Sequence, residues 1–165
     1  MNIHFWKMHG AGNDFILVDD RQMMFPATDK GWVARIAARR TGVGCEGVIL
    51  IQPSRKEDFR MRFFNPDGTE VSMCGNGARC VARLANELGI APERMTIETV
   101  AGPLKAEILG DDVRLEMMPP RKWRFDGTLR LAGKQFDYSY VIAGVPHVVI
   151  EMENIDDFDV QAAGA

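Results

Sequence analysis

Between Gly75 and Leu88 the residues Ala78, Val81, Ala82, Ala85 and Leu88 recur at helical spacing, and Gly89 supplies a natural C-terminal stop. On either side the chain breaks into short apolar runs of strand length, separated by clusters rich in glycine, proline and asparagine. Amphipathic helices set among many short strands give a mixed fold class, α/β in the broad sense (α+β). With 165 residues, 46% of them hydrophobic, the chain can bury a real core as one compact domain or two small lobes, which excludes disorder as its main state.

The strands can be placed one by one. Asn2 to Met8 and Phe15 to Asp19 flank His9-Gly10-Ala11-Gly12-Asn13-Asp14, which reads as strand, tight loop, strand. Thr28 or Asp29 can cap a helix whose Trp32, Val33, Ile36 and Ala37 share a face, and the stop is expected near Gly42. Val48 to Gln52 reads as a buried strand. Phe59 to Asn65 reads as another, running into the turn Pro66-Asp67-Gly68-Thr69 and then an extended piece, Glu70 to Met73. Met95 to Met118 reads as a meander broken at Ala101-Gly102-Pro103 and Gly110-Asp111-Asp112. Pro119-Pro120 is the boundary candidate. Beyond it, Gln135 to Ala143 and His147 to Met152 look like opening strands of a second lobe, and Asp156 to Asp159 can cap one more helix.

Charge narrows the partners. Twenty Lys and Arg stand against 23 Asp and Glu, a net charge of -3, so there is no basic footprint for nucleic acid or an anionic membrane. No signal segment opens the chain and no apolar run approaches the roughly 18 residues of a membrane span, which predicts a cytoplasmic protein. Three cysteines, Cys45, Cys74 and Cys80, are an odd number without secretory context and predict free thiols.

The strongest chemical signal is Cys74-Gly75-Asn76-Gly77-Ala78-Arg79-Cys80. A helix start presents unpaired N–H groups and partial positive charge, which favours an anion and draws a thiol placed there toward thiolate. Cys74 is then the natural nucleophile or base, Gly75 and Gly77 clear space for a ligand to approach the backbone, and Asn76 offers a donor and an acceptor. The same cysteine can equally be a small buried hydrophobe ahead of a glycine-rich helix start. Cys80 lies about 9 Å and roughly 240° further along the helix, so a disulfide with Cys74 is disfavoured; Cys80 and Cys45 read as structural.

No metal site is expected, because the cysteines are 29 and 6 apart and His4, His9 and His147 form no ligand motif. His4 reads as a residue on a strand face. Gly10-Ala11-Gly12 lacks the third glycine and the following helix of a dinucleotide fingerprint. Asn13 and Asn65 suit turn geometry, Glu46 can be an ordinary solvated acid, and Arg39, Arg40, Arg79 and Arg83 read as solvated faces of their helices.

Four segments together resemble the diaminopimelate epimerases: Lys7-Met8-His9-Gly10-Ala11-Gly12-Asn13-Asp14-Phe15, Arg40-Thr41-Gly42-Val43-Gly44-Cys45-Glu46-Gly47-Val48, Phe64-Asn65-Pro66-Asp67-Gly68-Thr69-Glu70-Val71, and the Cys74 to Cys80 motif. Gly144-Val145-Pro146-His147 is a looser fifth. The resemblance implies two lobes, each a barrel-like sheet around a central helix, with residues 1–118 as the first lobe and 119–165 as the start of an incomplete second. It further implies a PLP-independent reaction without cofactor or metal, in which one cysteine removes an α-proton as thiolate and another, as thiol, returns one to the opposite face. By match of motif Cys74 is the first of these, Gly75 and Asn76 hold the reacting α-carboxylate, and Asn13 and Asn65 hold the distal end that selects diaminopimelate. Glu46 stands where Asp is frequent and Val145 where Asn is common, while His147 remains. The family's second cysteine and the later Asn and Glu-Arg pair have no counterpart here, so these 165 residues are expected to be inactive alone as an epimerase. The resemblance also suggests a homodimer.

Three other readings stay open: a related two-lobed isomerase of the proline racemase or phenazine-biosynthesis type, a non-catalytic amino-acid-binding module, and a thiol redox protein. Asn13 and Asn65 in their motifs weigh against the first, and a Cys-x5-Cys spacing across a helix suits the last poorly.

Overall fold

A computed structural model of the chain describes residues 2–131, 133–156 and 158–163. The chain divides between Met117 and Met118 into two compact units. The strands of the first are β1 (Trp6–Gly10), β2 (Asn13–Asp19), β3 (Gly47–Gln52), β4 (Phe59–Phe64), β5 (Glu70–Val71), β6 (Arg94–Thr99), β7 (Gly102–Leu109) and β8 (Asp112–Glu116). Its helices are α1 (Lys30–Ala37) and α2 (Gly75–Glu87). All eight strands join one sheet in the order β1-β2-β3-β4-β6-β7-β8, with β5 paired to β4 off that path. The β2/β3 and β4/β6 pairs are parallel and the others antiparallel.

Helix α2 packs against β1 and β8, the two ends of that order, and against β2, β3, β4 and β7 between them. A helix that reaches both edges of one sheet is wrapped by it. Its stripe of Ala78, Val81, Ala82, Leu84 and Ala85 is fully buried, against Phe15 and Leu17 of β2, Ile49 and Ile51 of β3, and Phe59, Met61 and Phe63 of β4. The small side chains on the helix let its backbone sit close to the sheet, and the bulk comes from the strands. On the opposite face Ile16, Val18, Val48, Leu50 and Phe64 pack beneath Val33 and Ala37 of α1. Covered on both faces, β2 and β3 read as continuous apolar runs rather than alternating ones.

Helix α1 ends at Ala37, short of the stop expected near Gly42. Ala38 is already extended and Arg40 has φ 77°, so the chain doubles back, and the N–H groups of Val43, Gly44 and Cys45 donate to the carbonyls of Ile36 and Ala37. The loop itself satisfies the helix C-terminus, a role the sequence pattern assigned to a longer helix. Asp29 caps the other end, accepting from the Trp32 N–H at 2.8 Å.

The second unit is a three-stranded antiparallel sheet of β9 (Arg121–Leu131), β10 (Lys134–Ala143) and β11 (Val145–Val149), followed by a short helix, α3 (Val160–Ala163). Strand β9 was not expected. Its Trp123, Phe125, Leu129 and Leu131 alternate with Arg124, Asp126, Thr128 and Arg130, a period-2 pattern that sequence reasoning passed over; most of the strand is exposed, and it pairs with β10. Gly144-Val145-Pro146-His147 is likewise only partly a turn: Gly144 has φ 77°, while Val145, Pro146 and His147 already pair with β10. Asp159 accepts from the Ala162 N–H at the start of α3; Asp157, in the expected capping stretch, lies outside the described residues. No helix among the described residues is long and apolar enough to cross a membrane.

Because Ile49 lies at the centre of the α2 contact with no solvent exposure, Ile49→Ala is expected to cost about 2–5 kcal/mol in urea denaturation. Met24→Ala, at a side chain 66% exposed, should stay within about 0.5 kcal/mol of the wild type.

Candidate active site

The 13-residue helix α2 starts directly after Cys74, and Cys74 is its N-cap. The residue is extended (φ -141°, ψ 119°), its carbonyl accepts the Ala78 N–H at 2.8 Å, and its Sγ accepts the Gly77 N–H at 3.5 Å. This is the place a Ser or Asp side chain normally takes, filled here by sulfur. The Gly75 and Asn76 N–H groups have no partner within the helix and point out of its first turn. That turn holds no acidic residue, and Arg79 reaches Asn76 Oδ1 at 3.5 Å, so the helix end keeps its positive charge.

The β1/β2 hairpin closes over this end. Its turn is Ala11-Gly12 alone, both with positive φ (53° and 83°), so Asn13 is the first residue of β2 and pairs with Gly10. A Cβ on Gly10 would meet the Asn76 carbonyl oxygen at 2.8 Å, so only glycine lets the hairpin approach the helix start this closely. Asn13, on the same face of β2 as Phe15 and Leu17, brings its Oδ1 to 4.0 Å from Cys74 Sγ. Gly77 has a reason beyond the one its sequence suggested. A Cβ there would lie 2.7 Å from Ile49 Cδ1, so core packing also calls for a small residue.

Asn65 follows Phe64, which pairs with Val48, next to Gly47, which pairs with Phe15. The register therefore sets Asn65 at the same end of the sheet as Asn13. Its backbone closes the turn by accepting from the Gly68 N–H and donating to the Thr69 carbonyl, both at 2.9 Å. Glu46 falls on the other face, where its carboxylate takes Arg39 Nη2 at 2.7 Å. His147 belongs to the second unit, its Nδ1 2.8 Å from the Val145 carbonyl oxygen. His4 precedes β1 and packs edge-on against Trp6, with ring centroids 4.5 Å apart, rather than standing on a strand.

A network that sequence reasoning missed braces this end from outside. Asp14 Oδ2 takes Lys7 Nζ at 2.6 Å and its Oδ1 takes Arg39 Nη2 at 2.7 Å, while Lys7 also donates to the Gly44 carbonyl. Arg39, then Lys7, hold the Asp14 carboxyl far below the ordinary carboxylate range. The alternation of the hairpin offered a signal for Lys7 and Asp14, which stand diagonally on one face; nothing local announces Arg39, which lies beyond α1 and is not part of a helical face. Arg83 is also committed, donating to the Gly110 carbonyl at 2.6 Å and so tying α2 to the turn between β7 and β8.

All three cysteines are free. Cys74 is half-buried, whereas Cys45 and Cys80 are buried, which pushes both thiols up, Cys80 to about 11. Among the described residues no group of three or more His, Cys, Asp or Glu is placed to hold a metal ion.

The family model described as diaminopimelate epimerase matches residues 5–123, which include Asn13, Asn65, Cys74, Gly75 and Asn76. The chain belongs to the diaminopimelate epimerase family. It is 38% identical over 173 residues to the diaminopimelate epimerase of Aquifex aeolicus, covering 98% of this chain and 62% of that protein. With the diaminopimelate epimerase of Chlorobaculum tepidum it shares 41% over 160 residues, covering 95% and 60%. The chain thus spans about three fifths of the length of these epimerases. Two solved structures share the fold at lower identity. A phenazine biosynthesis protein of the PhzF family from Bacillus anthracis aligns with TM-score 0.68 at 20% identity, over 93% of this chain and 56% of that one. A probable proline racemase from Agrobacterium radiobacter gives 0.67 at 19%, over 99% and 54%.

Two outcomes follow. Iodoacetamide at pH 8 should modify Cys74 while Cys45 and Cys80 react only after denaturation, as peptide mapping by mass spectrometry will show. Asp14→Asn should lower stability at neutral pH. Since the folded-state Asp14 is shifted below its reference value of 3.8, its contribution is complete above that pH and drains as pH falls through the folded value, so wild type and variant should converge in acid unfolding curves.

Proposed function

We propose that this chain supplies the first-thiol half of a PLP-independent epimerase that interconverts LL- and meso-diaminopimelate, with Cys74 as one of two acid/base groups. The observation that carries the reading is the N-cap position of Cys74, with its sulfur beside two backbone donors that have no helical partner. Gly75 and Asn76 N–H bind the substrate's α-carboxylate, at a helix end that lacks the acidic residue usually found in a first turn. Asn13 and Asn65, at the same end of the sheet, contact the amino-acid groups of the substrate. Glu46 serves through its pairing with Arg39.

The chemistry asks for this arrangement. Removing an α-proton leaves charge that spreads into the carboxylate, so fixed donors around the carboxylate lower the barrier more than they favour the ground state. The thiolate takes the proton, forming S–H while the electron pair stays on carbon. Inversion then needs a proton from the opposite face, and Cys45 and Cys80 are too deeply buried to give it. Sequence relatives favour diaminopimelate over the substrates of the related isomerases, whose structural likeness at 20% identity or less speaks to the fold alone.

In deuterium oxide with LL-diaminopimelate, these 165 residues should exchange the α-hydrogen without forming the meso isomer, and Cys74→Ser should abolish the exchange. Formation of meso product by the wild type, lost in Cys74→Ser, would show that one thiol suffices. Exchange that persists in Cys74→Ser would remove Cys74 from the mechanism.

A further inference from the structure

The sulfur of Cys74 has two polar neighbours of different kinds. On the helix side the Gly77 N–H donates to it at 3.5 Å, a fixed bond that suits a thiolate. On the hairpin side the Asn13 side-chain oxygen, placed to accept, stands 4.0 Å away, so this contact suits a thiol that carries its proton. A base that becomes an acid needs both kinds of partner, one for each state.

A carboxamide can be both. It has an acceptor at one end and two N–H donors at the other, and a half-turn about its terminal bond exchanges them at one point in space. We propose that Asn13 is a positioning residue for Cys74, its amide accepting from the sulfur when the thiol is protonated and donating to it when the thiolate is free. When Cys74 takes the α-proton, the C–H bond breaks, S–H forms and the amide turns from N–H···S to O···H–S; the return step reverses each change. No co-reactant is involved. This role goes beyond a substrate contact and rests on the reading of Cys74 as an acid/base thiol.

The surroundings hold the amide to this task. Asn13 is anchored by pairing with Gly10, and Gly10 lies against the Asn76 carbonyl with no space for a side chain. The next residue, Asp14, faces the other way and is gripped by Lys7 and Arg39. The strand end cannot withdraw, so the freedom left at Asn13 is the rotation of its side chain. The charges of the hairpin root stay on the far face, which leaves a neutral, reversible dipole next to the sulfur. An aspartate here would only accept, and its charge would oppose the thiolate.

The test is read on the free protein, without substrate, so its failure is distinguishable from failure of the epimerase reading. The rate of Cys74 alkylation by iodoacetamide is followed against pH by peptide mass spectrometry. Asn13→Asp, which keeps the shape, should slow alkylation at neutral pH by about tenfold and move the half-maximal rate to higher pH. Asn13→Ala should move it in the same direction by less. In the wild type, the Asn13 side-chain amide resonances should shift in ¹H–¹⁵N spectra with the same midpoint as alkylation, a readout that needs no folded variant. Amide resonances that ignore the thiol's titration, or an alkylation profile in Asn13→Ala that overlays the wild type, would overturn the proposal, because an asparagine that makes no hydrogen bond to the sulfur can be removed without changing the profile, whereas the charge of Asn13→Asp opposes the thiolate in either case.

Discussion

The burial of α2 inside a curled sheet is the constraint on which the rest of the first unit depends. Its small buried residues face Phe15, Ile49, Met61 and Phe63, and it packs on both edge strands, β1 and β8. Once the helix axis is set this way, its first turn must emerge where β2 and β3 begin and β4 ends. Cys74 and Asn13 therefore meet through topology, not through closeness in the chain, and the register sets Asn65 at the same end of the sheet. Gly77 shows the same dependence at one residue: the sulfur's N–H partner is also the position where the helix backbone presses on Ile49. Core packing and site geometry thus share one residue, Gly77.

A division of labour between the two faces of β2 follows from the period of a strand. Alternate residues point to opposite sides, so Asn13 turns to the helix and Asp14 to the outside. The outer face collects the charges, with Asp14 between Lys7 and Arg39, and Glu46 on Arg39. Exposed ion pairs of this kind contribute little to stability individually. Their value here is placement, since two of the three join different segments: Lys7–Asp14 ties the two strands of the hairpin, and Arg39–Asp14 ties the hairpin to the loop after α1. The inner face keeps a neutral amide next to the sulfur, where a fixed charge would bias one protonation state over the other.

How much of this was legible in the sequence depends on where each residue's partner lies. Helix α2 with its glycine stop and the buried runs of β2 and β3 are local patterns and read correctly, as did Ala78, Val81, Ala82 and Ala85 of the stripe, but Leu88 is the exposed C-cap and Leu84 holds the core position in its place. The turn after Asn65 was legible because proline, aspartate and glycine each perform a turn task in place. Strand β9 offered the same kind of signal, Trp123, Phe125, Leu129 and Leu131 alternating with polar residues, but its mostly exposed side chains mark no buried face to set it apart from a charged connecting segment. The early end of α1 depended on N–H groups six to eight residues away folding back onto its carbonyls, a tertiary contact that propensity does not encode. Of the proposed site, Cys74, Gly75 and Asn76 stand in one contiguous motif. Asn13 and Asn65 needed the family resemblance to be picked out from turn residues, and Arg39 and Asp14 were invisible as a pair because 25 residues separate them.

Sulfur as an N-cap carries a chemical consequence of its own. An oxygen cap such as serine would hold a shorter, stronger bond to the Gly77 N–H and would not ionise at neutral pH, so it would stabilise the helix and do no proton chemistry. The Sγ to N distance of 3.5 Å is a weaker cap, and the helix start gives up some stability for a group that can exist with or without its proton. The stability lost there is offset by the buried stripe two turns further on, where Val81, Ala82, Leu84 and Ala85 have essentially no exposure. A helix fixed so firmly by its middle can leave its first turn open, with two backbone donors unspent, the donors to which the proposed function assigns a carboxylate.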